Sequence, residues 1–182
     1  MVSLIAALSL LVPAEPISIN VQADQVLHSV SKDLYGIFFE EINCAGDGGI
    51  YPELVRNRSF DDSDKPEHWS ISSGVKASVE KGKLLVDAQE SGEIVNNGYW
   101  GMNLEKGQKY DLQVIGDFPE ATSINIQVTD GTRLVAEAKL ITKAGTGHAL
   151  NTTITPSASV PKGSLKLLVT KGENFAIDYV SL

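Results

Sequence analysis

Two adjacent carboxylates, Glu40 and Glu41, stand where the sequence could place reactive groups. They follow residues 34–39, an almost uninterrupted apolar run that predicts a strand covered on both faces, as the strands of parallel barrels are. Functional side chains in such barrels project from the C-terminal ends of strands. Because neighbouring strand residues face opposite ways, only one of the two glutamates need point into a pocket. The alternative is that both are ordinary solvated acids at a strand end.

Aromatic side chains offer a second kind of chemistry, because their ring faces stack on sugar rings. We expect Tyr99 and Trp100 to be exposed and to act as such contacts. Trp69 and Tyr110 are instead expected in a core, since Trp69 stands at the start of a new region and Tyr110 lies in an alternating strand. The pattern therefore indicates a surface for binding polysaccharide, with purely structural packing as the alternative.

The charge balance excludes one class of partner. The chain has 23 acidic and 15 basic residues, a formal net charge of −8, and no basic run. Proteins bind nucleic acid through clusters of Lys and Arg, so no nucleic-acid partner is expected, whereas a neutral sugar is indifferent to the sign of the charge. The histidines, His28, His68 and His148, are scattered without the spacing of a zinc site, and no cofactor is expected apart from a structural ion considered below.

The N-terminus carries a short apolar segment. Residues 3–12 are too few to span a bilayer and are typical of the core of a signal peptide covering residues 1–14, although a charged leader is absent. This pattern predicts a secreted or periplasmic protein without a membrane partner. A buried first strand or a wrongly assigned start codon would explain the same residues. The single Cys44 cannot form an internal disulfide, which neither proves nor excludes export.

Hydrophobic periodicity predicts strands rather than long helices. Alternating residues predict strands at 17–22 and 26–30, and residues 51–57 could form a short helix. From residue 60 onward turn residues recur at intervals typical of a sandwich, and Asp130-Gly131 predicts a hairpin. Nine further strands are predicted at 75–79, 83–87, 93–96, 108–115, 123–129, 133–140, 150–154, 164–170 and 175–181.

These patterns divide the chain into two parts. Residues 15–59 hold the N-terminal strands, and residues 60–182 form a mainly β domain whose turn spacing predicts a jelly-roll-like β-sandwich. The apolar run at 34–39 has no partner strand of the same kind in the chain. Its faces therefore need cover from another source.

One long motif carries a family resemblance. Residues 35–60 read YGIFFEEINCAGDGGIYPELVRNRSF and resemble the signature near the start of α-L-arabinofuranosidases of glycoside hydrolase family 51. The rest of the chain resembles the carbohydrate-binding-type sandwich that many members insert after this signature, through Trp69, residues 98–102 and residues 177–182. The two resemblances together cover nearly everything from residue 17 onward.

The resemblance implies that residues 34–39 form the first strand of a (β/α)8 barrel that this chain leaves incomplete. Glu40 matches the family position whose carboxylate hydrogen-bonds the arabinofuranose ring, and Glu41 is kept as a second substrate-binding candidate. Retaining glycosidases need two more carboxylates about 5 Å apart, as acid/base and nucleophile. The resemblance places both on later barrel strands. We therefore expect no catalytic residue here, no hydrolysis by the chain alone, and a missing C-terminal catalytic barrel as partner.

Further expectations follow from the same resemblance. The implied substrate is an arabinose-containing plant polysaccharide, arabinan or arabinoxylan, and the alternative is a non-catalytic secreted sugar-binding sandwich that has no use for residues 35–60. Related sandwiches often hold structural calcium, and Asp61, Asp62 and Asp178 stand at comparable places. Calcium needs about six to eight oxygen ligands, of which these acids supply at most half. Cys44 occupies a position where the family usually has His.

Overall fold

The computed structural model describes residues 18–34, 36 and 38–182. The chain divides between Phe38 and Phe39 into two units, so residues 39–59 are grouped with the sandwich rather than with the N-terminal strands predicted from the sequence. Residues 1–14, where a signal peptide is predicted, lie outside the described residues. In the described part of the chain, no helix is long and apolar enough to cross a membrane.

The N-terminal unit differs from the predicted strands. Its described residues include the short 3-10 helix Lys32–Leu34 and no strand at 18–22 or 26–30. The strand predicted at 34–39 is likewise missing from its described residues, while Tyr35 and Ile37 lie outside them. A strand needs a neighbour to pair its N–H and C=O groups, and hydrophobic alternation alone does not supply one. The periodicity therefore overpredicts strands in this region.

The predicted helix at 51–57 is also wrong, because the backbone of these residues is bonded and turned in other ways. The Leu54 N–H donates to the Leu182 carbonyl at 3.1 Å. The Val55 N–H donates to Oε1 of Glu53 at 2.8 Å. Asn57 has a φ of 50°, which lies outside the helical region. These residues form irregular turns.

The second unit is a β-sandwich of eleven described strands. They are β1 (Trp69–Ile71), β2 (Val75–Glu80), β3 (Lys83–Ala88), β4 (Gly92–Asn96), β5 (Met102–Leu104), β6 (Tyr110–Phe118), β7 (Ser123–Asp130), β8 (Arg133–Ile141), β9 (Gly145–Ile154), β10 (Val160–Val169) and β11 (Asn174–Ser181). Every strand predicted from residue 75 onward is present. The two additional strands, β1 and β5, have three residues each and are too short to show a period.

Two antiparallel sheets form the sandwich. One has the strand order β1-β4-β10-β7-β8, with β5 also paired to β10, and the other has the order β2-β3-β11-β6-β9. The predicted hairpin joins β7 to β8, with Asp130 opposite Arg133. The mainly β class and the sandwich are thereby confirmed.

The core lies between the sheets because alternate strand residues are apolar. Four examples are at most 1% exposed: Leu112 and Val114 of β6, and Leu165 and Leu167 of β10. Burying one such side chain contributes roughly 1.5–3 kcal/mol. Trp69 is buried as predicted, at 5% exposure. The same sheets fix where the neighbouring loops can attach.

Candidate functional site

The segment that follows the two glutamates is attached to the sandwich by an arginine. We call residues 46–60 the docking segment. Arg58 Nε and Nη2 lie 3.1 Å from the two oxygens of Asp47, a two-pronged ion pair. Arg58 Nη1 donates to Oε2 of Glu53 at 3.2 Å and to the hydroxyl of Tyr179 at 2.8 Å. Within the docking segment we call residues 46–49 the glycine-rich loop. One guanidinium therefore connects this loop, Glu53 of the same segment and β11.

Glu53 is the buried centre of this arrangement, at 2% exposure. Its Oε1 accepts from the backbone N–H groups of Val55 at 2.8 Å and Leu182 at 3.0 Å. Its Oε2 accepts from the Ser181 hydroxyl at 2.6 Å and from Arg58. A buried carboxylate is tolerated only when paired and hydrogen-bonded, and here all partners belong to the protein. Glu53 therefore holds structure together and has no free oxygen for substrate.

Two tyrosines complete the attachment. The guanidinium carbon of Arg58 lies 4.9 Å from the ring centroid of Tyr51 and 5.3 Å from that of Tyr179. Burial by itself would lower the pKa of Arg58, but the neighbouring Tyr179 and Asp47 outweigh it and the pKa is raised. Arg58 is therefore permanently charged and fixed between two rings. We call Asp47, Glu53, Arg58 and Tyr179 the clamp.

Backbone hydrogen bonds place the docking segment beside the end of β11. The Val180 N–H donates to the Arg58 carbonyl at 2.9 Å, in addition to the bond between Leu54 and Leu182. The Asn96 side chain accepts from the Arg56 N–H at 3.2 Å and donates to the Arg56 carbonyl at 2.9 Å. The chain thus passes into the sandwich directly beside the place where its last strand ends.

The structure separates the two predicted glutamates. Glu41 Oε2 accepts a hydrogen bond from the Gly46 N–H at 2.7 Å and closes the loop between them. Glu41 also lines a surface depression together with Phe39, Asp47 and Tyr51. Glu40 is exposed, and it is not among the residues that line this depression. Their roles toward a sugar stay predictions.

Apolar side chains between residues 39 and 50 are uncovered, and two of them, Phe39 and Ile50, line this depression. Phe39 is 51% exposed, Ile42 is 59% exposed and Ile50 is 68% exposed. Contiguous exposed apolar groups mark surfaces that contact something else. The expectation that the apolar motif needs outside cover is consistent with Phe39, whereas Ile37 lies outside the described residues.

Tyr99 and Trp100 sit next to the glycine-rich loop. A Cβ on Gly48, whose φ is +82°, would lie 2.5 Å from the Tyr99 ring, so the ring packs directly on the glycine backbone. Burial, helped by the negative Asp47, raises the pKa of Tyr99 to about 12. The Trp100 ring lies 6.1 Å from that of Tyr99 and is 68% exposed. Trp100 is therefore free to stack on a ligand, and Tyr99 is largely a packing residue.

The acids proposed for calcium are not brought together. Asp62 lies 4.0 Å from His68, Asp61 approaches Gly82, and Asp178 lies on β11. In the part of the chain that the structure describes, no three His, Cys, Asp or Glu side chains are grouped to hold a metal ion. The calcium site gains no geometric support and stays a prediction.

The clamp was missed by the sequence reasoning. Asp47, Glu53 and Arg58 stand in the quoted motif, but nothing local shows that Glu53 is buried or that Arg58 is its partner. Their other partner, Tyr179, is 121 positions from Arg58. The one available signal is the presence of four charged residues, Asp47, Glu53, Arg56 and Arg58, among the apolar residues and glycines of this stretch.

Comparisons with known proteins identify the relatives. The chain is 32% identical over 183 aligned residues to alpha-L-arabinofuranosidase 1 of Arabidopsis thaliana, covering 84% of this chain and 27% of that protein. It is 29% identical over 170 residues to the extracellular exo-alpha-L-arabinofuranosidase of Streptomyces chartreusis, covering 85% of this chain and 20% of that protein. The chain thus spans about a quarter or less of these relatives. No protein-family model matches it.

Solved structures agree on the fold. The arabinose-bound MgGH51 α-L-arabinofuranosidase superposes with a TM-score of 0.68 at 23% identity, over 81% of this chain and 28% of that one. The second N-terminal cellulose-binding domain of Cellulomonas fimi beta-1,4-glucanase C superposes with a TM-score of 0.54 at 20% identity, over 71% of this chain and 92% of that domain. At these identities the likeness establishes the sandwich fold alone. The family resemblance read from residues 35–60 is confirmed: over most of its length this chain is a homologue of the α-L-arabinofuranosidases and corresponds to an N-terminal portion of them.

Proposed function

We propose that this chain is the N-terminal portion of a secreted, retaining α-L-arabinofuranosidase that releases terminal arabinofuranose from arabinan or arabinoxylan. The observation that carries the proposal is the 32% identity to alpha-L-arabinofuranosidase 1 over 84% of the chain. The S. chartreusis relative is named as extracellular, which supports the secreted location. The catalytic acid/base and nucleophile belong to a C-terminal barrel, so the chain alone does not hydrolyse glycosides.

The docking geometry supports a sandwich that sits within a larger enzyme. Leu54 and Leu182 are joined by a backbone hydrogen bond of 3.1 Å, so the chain reaches the sandwich and leaves its last strand at adjacent points. A module inserted into a host fold needs such adjacency, because the host continues after it with little displacement. The exposed Phe39 and Ile50 beside the attachment then give the barrel an apolar surface to cover.

Glu40 is the residue proposed to meet the sugar. Its side chain is exposed, and the neighbouring Glu41 already accepts the Gly46 N–H. In the assembled enzyme Glu40 orients arabinofuranose by accepting hydroxyl hydrogen bonds, and it does not cleave the bond. Charged acceptors contribute roughly 1.5–3 kcal/mol per hydrogen bond, which corresponds to about ten- to a hundredfold in affinity.

The proposal is tested by arabinose release from an aryl α-L-arabinofuranoside. The 182-residue chain should release none above the blank, and measurable turnover would contradict the assignment of both catalytic carboxylates to the barrel. A chimera replaces the matched region of the Arabidopsis relative with this chain and is expected to be active. Glu40→Gln in the chimera should lower kcat/KM by about tenfold or more, whereas Glu105→Gln, an exposed glutamate of the sandwich, should leave it unchanged.

A second candidate is a non-catalytic sugar-binding sandwich, favoured by the exposed ring of Trp100. In this function Trp100 stacks on a sugar face, which contributes affinity without any barrel. Trp100→Ala should then abolish retention of the chain on arabinoxylan. Retention that survives this substitution would argue against Trp100 as the contact.

A further inference from the structure

The chain turns sharply directly after Glu40. Asn43 has a φ of 55° and Cys44 has a φ of 60°, so two successive residues other than glycine lie in the left-handed region. This conformation is unfavourable for residues that carry a Cβ, and it persists only where the surrounding structure enforces it. We call residues 41–46 the left-handed turn. Its strain calls for a contact that holds it in place.

Glu41 supplies that contact. Its Oε2 accepts a hydrogen bond from the Gly46 N–H at 2.7 Å, across five positions of sequence. A Cβ on Gly46 would overlap this same oxygen, so the carboxylate lies directly against the glycine. A hydrogen bond to an ionised carboxylate is stronger than one to a neutral oxygen. The Glu41 side chain therefore closes the left-handed turn and offsets its strain.

The far end of the left-handed turn is anchored to the sandwich. The Tyr51 N–H donates to the Gly46 carbonyl at 2.9 Å. The next residue, Asp47, is paired with Arg58 in the clamp. Gly46 therefore belongs to the fixed part of the attachment, and the Glu41 carboxylate ties the start of the turn to it.

Fixing Glu41 also restricts the residue before it. Glu40 is exposed, and it shares a planar peptide unit with Glu41. Holding the Glu41 backbone therefore limits where the Glu40 side chain can reach. Placement matters for a group that orients substrate, because a misplacement of about 1 Å can cost about a hundredfold in rate.

We propose that Glu41 is a positioning residue, whose carboxylate closes the left-handed turn on Gly46 and thereby fixes the backbone from which Glu40 reaches the sugar. The inference rests on the proposed function for the role of Glu40. It goes beyond that function by giving Glu41 a role that involves no contact with substrate. It also gives the sandwich a part in the sugar site, because the clamp anchors the residue to which Glu41 is tied.

Hydrogen exchange in the 182-residue chain tests the contact itself. The Gly46 amide should exchange about tenfold faster in Glu41→Ala, because its acceptor is lost. In Glu41→Gln the exchange should stay slow, since the side-chain amide oxygen can still accept the hydrogen bond. Glu105→Ala, at an exposed glutamate of the sandwich, is the matched control. Unchanged exchange in Glu41→Ala overturns the inference and leaves the arabinose-release test of the proposed function untouched.

A double-mutant cycle in the chimera with the Arabidopsis relative tests whether Glu41 acts through Glu40. Glu40→Gln is expected to lower kcat/KM by about tenfold, and Glu41→Ala by about three- to tenfold. A positioning residue has nothing to place once the Glu40 carboxylate is gone. Glu40→Gln combined with Glu41→Ala should therefore lie within about twofold of Glu40→Gln alone. Glu41→Gln alone should change kcat/KM by less than about twofold, because it keeps the acceptor.

Gly46→Ala breaks the same contact from its other side. The added Cβ displaces the Glu41 carboxylate, so this variant should match Glu41→Ala in kcat/KM. Combined with Glu41→Ala it should lower kcat/KM no further, since the displaced group is then already absent. Melting temperatures of all chimeras verify folding.

Two results in an active chimera overturn the inference. Losses from Glu40→Gln and Glu41→Ala that multiply would show that Glu41 contributes independently of Glu40. A loss in Glu41→Gln as large as that in Glu40→Gln would make the Glu41 charge a direct contact with the sugar. An inactive chimera contradicts the proposed function, and the inference falls with it even where exchange at Gly46 follows the expectation.

Discussion

The β-sandwich and the docking segment are held by different interactions. In the sandwich, alternate strand residues such as Leu112 and Leu165 bury apolar surface against one another. In the docking segment, a buried carboxylate, Glu53, is satisfied by one guanidinium, one hydroxyl and two backbone N–H groups. Apolar packing depends mainly on volume, whereas a buried polar network depends on every donor being in place.

This difference shows which part of the sequence is diagnostic of the family. Any apolar residue of similar size keeps a strand in the sandwich, so the core defines the fold class but not a family. The clamp accepts few replacements, because removing one partner leaves a buried polar group unpaired. A motif rich in such constraints is therefore more diagnostic than the much longer sandwich that follows it.

The largest effect is expected when the negative charge of Glu53, at the centre of the clamp, is removed. Glu53→Gln keeps the side-chain size but turns an amide N–H₂ toward groups that are themselves donors. We expect the free energy of unfolding, measured in urea, to fall by about 3 kcal/mol, because Arg58 keeps only Asp47 as an ionic partner. This loss falls within the range expected for emptying a core site, as in Leu167→Ala, which costs roughly 2–5 kcal/mol.

The control for this substitution is Glu105→Gln, an exposed glutamate, which should change stability by less than about 0.5 kcal/mol. Hydrogen exchange at the Leu54 and Val180 amides should also accelerate in Glu53→Gln, since both amides pair across the attachment. A loss no greater than that of the control would show that the docking segment adds nothing to the sandwich, and the comparison would fail.

A smaller effect is expected where the glycine-rich loop meets Tyr99. Gly48→Ala puts a Cβ 2.5 Å from the ring at a φ of +82°. The left-handed backbone alone costs roughly 1–2 kcal/mol. Displacing Tyr99 adds to this, and because burial raises its pKa to about 12, the released ring should titrate closer to the ordinary value of about 10. NMR titration of the tyrosine ring carbons measures the change.

Gly107→Ala is the matched control because Gly107 has a φ of +78° and nothing within 4 Å of the added Cβ. It should show the backbone cost without the shift in the tyrosine titration. If Gly48→Ala and Gly107→Ala lose equal stability and Tyr99 still titrates near 12, the loop does not pack on Tyr99.

The same contrast explains how much of the fold could be predicted from the sequence alone. The strands from β2 onward follow from their alternation and from turn residues such as Asp130-Gly131, since one buried face imposes a period of two. At residues 18–30 the alternating pattern predicted strands that are not present, since no described strand pairs with these residues. β1 and β5 were not predicted, because three residues are too few to show a period. Periodicity reports burial of a face, and it does not report whether a partner strand exists.

The candidate site is less predictable for a different reason. The motif indicated Glu40 and Glu41, and the aromatic residues indicated Tyr99 and Trp100, of which Trp100 is exposed as predicted. The clamp depends on pairs such as Arg58 with Tyr179, which meet only after β11 has taken its place. Contacts of such separation leave no local pattern, so only their residue types could be noticed beforehand.

The smallest effect is expected at an ion pair outside the clamp, between Lys83 and Asp117, which we compare with the buried Glu53. Lys83 Nζ lies 2.8 Å from Asp117 Oδ2, and the Gly147 N–H donates to Oδ1 at 2.7 Å. The hydrogen bond from Lys83, followed by that from Gly147, lowers the pKa of Asp117. Unlike Glu53, this carboxylate is partly exposed and screened by solvent, so Asp117→Asn should lower the melting temperature only slightly.

The pH dependence identifies the cause of that slight change. Because the folded-state pKa of Asp117 lies below the unfolded value of about 3.9, its contribution is complete above that pH and is lost as pH falls through the folded-state pKa. The difference in melting temperature between wild type and Asp117→Asn should therefore be constant from pH 7 to about 5 and shrink toward pH 2. Asp64→Asn, at an exposed acid outside the strands, serves as control. A difference that persists unchanged at the acid end would mean that the Asp117 shape, and not its charge, stabilises the sheet, and the ionic contrast with Glu53 would then be withdrawn.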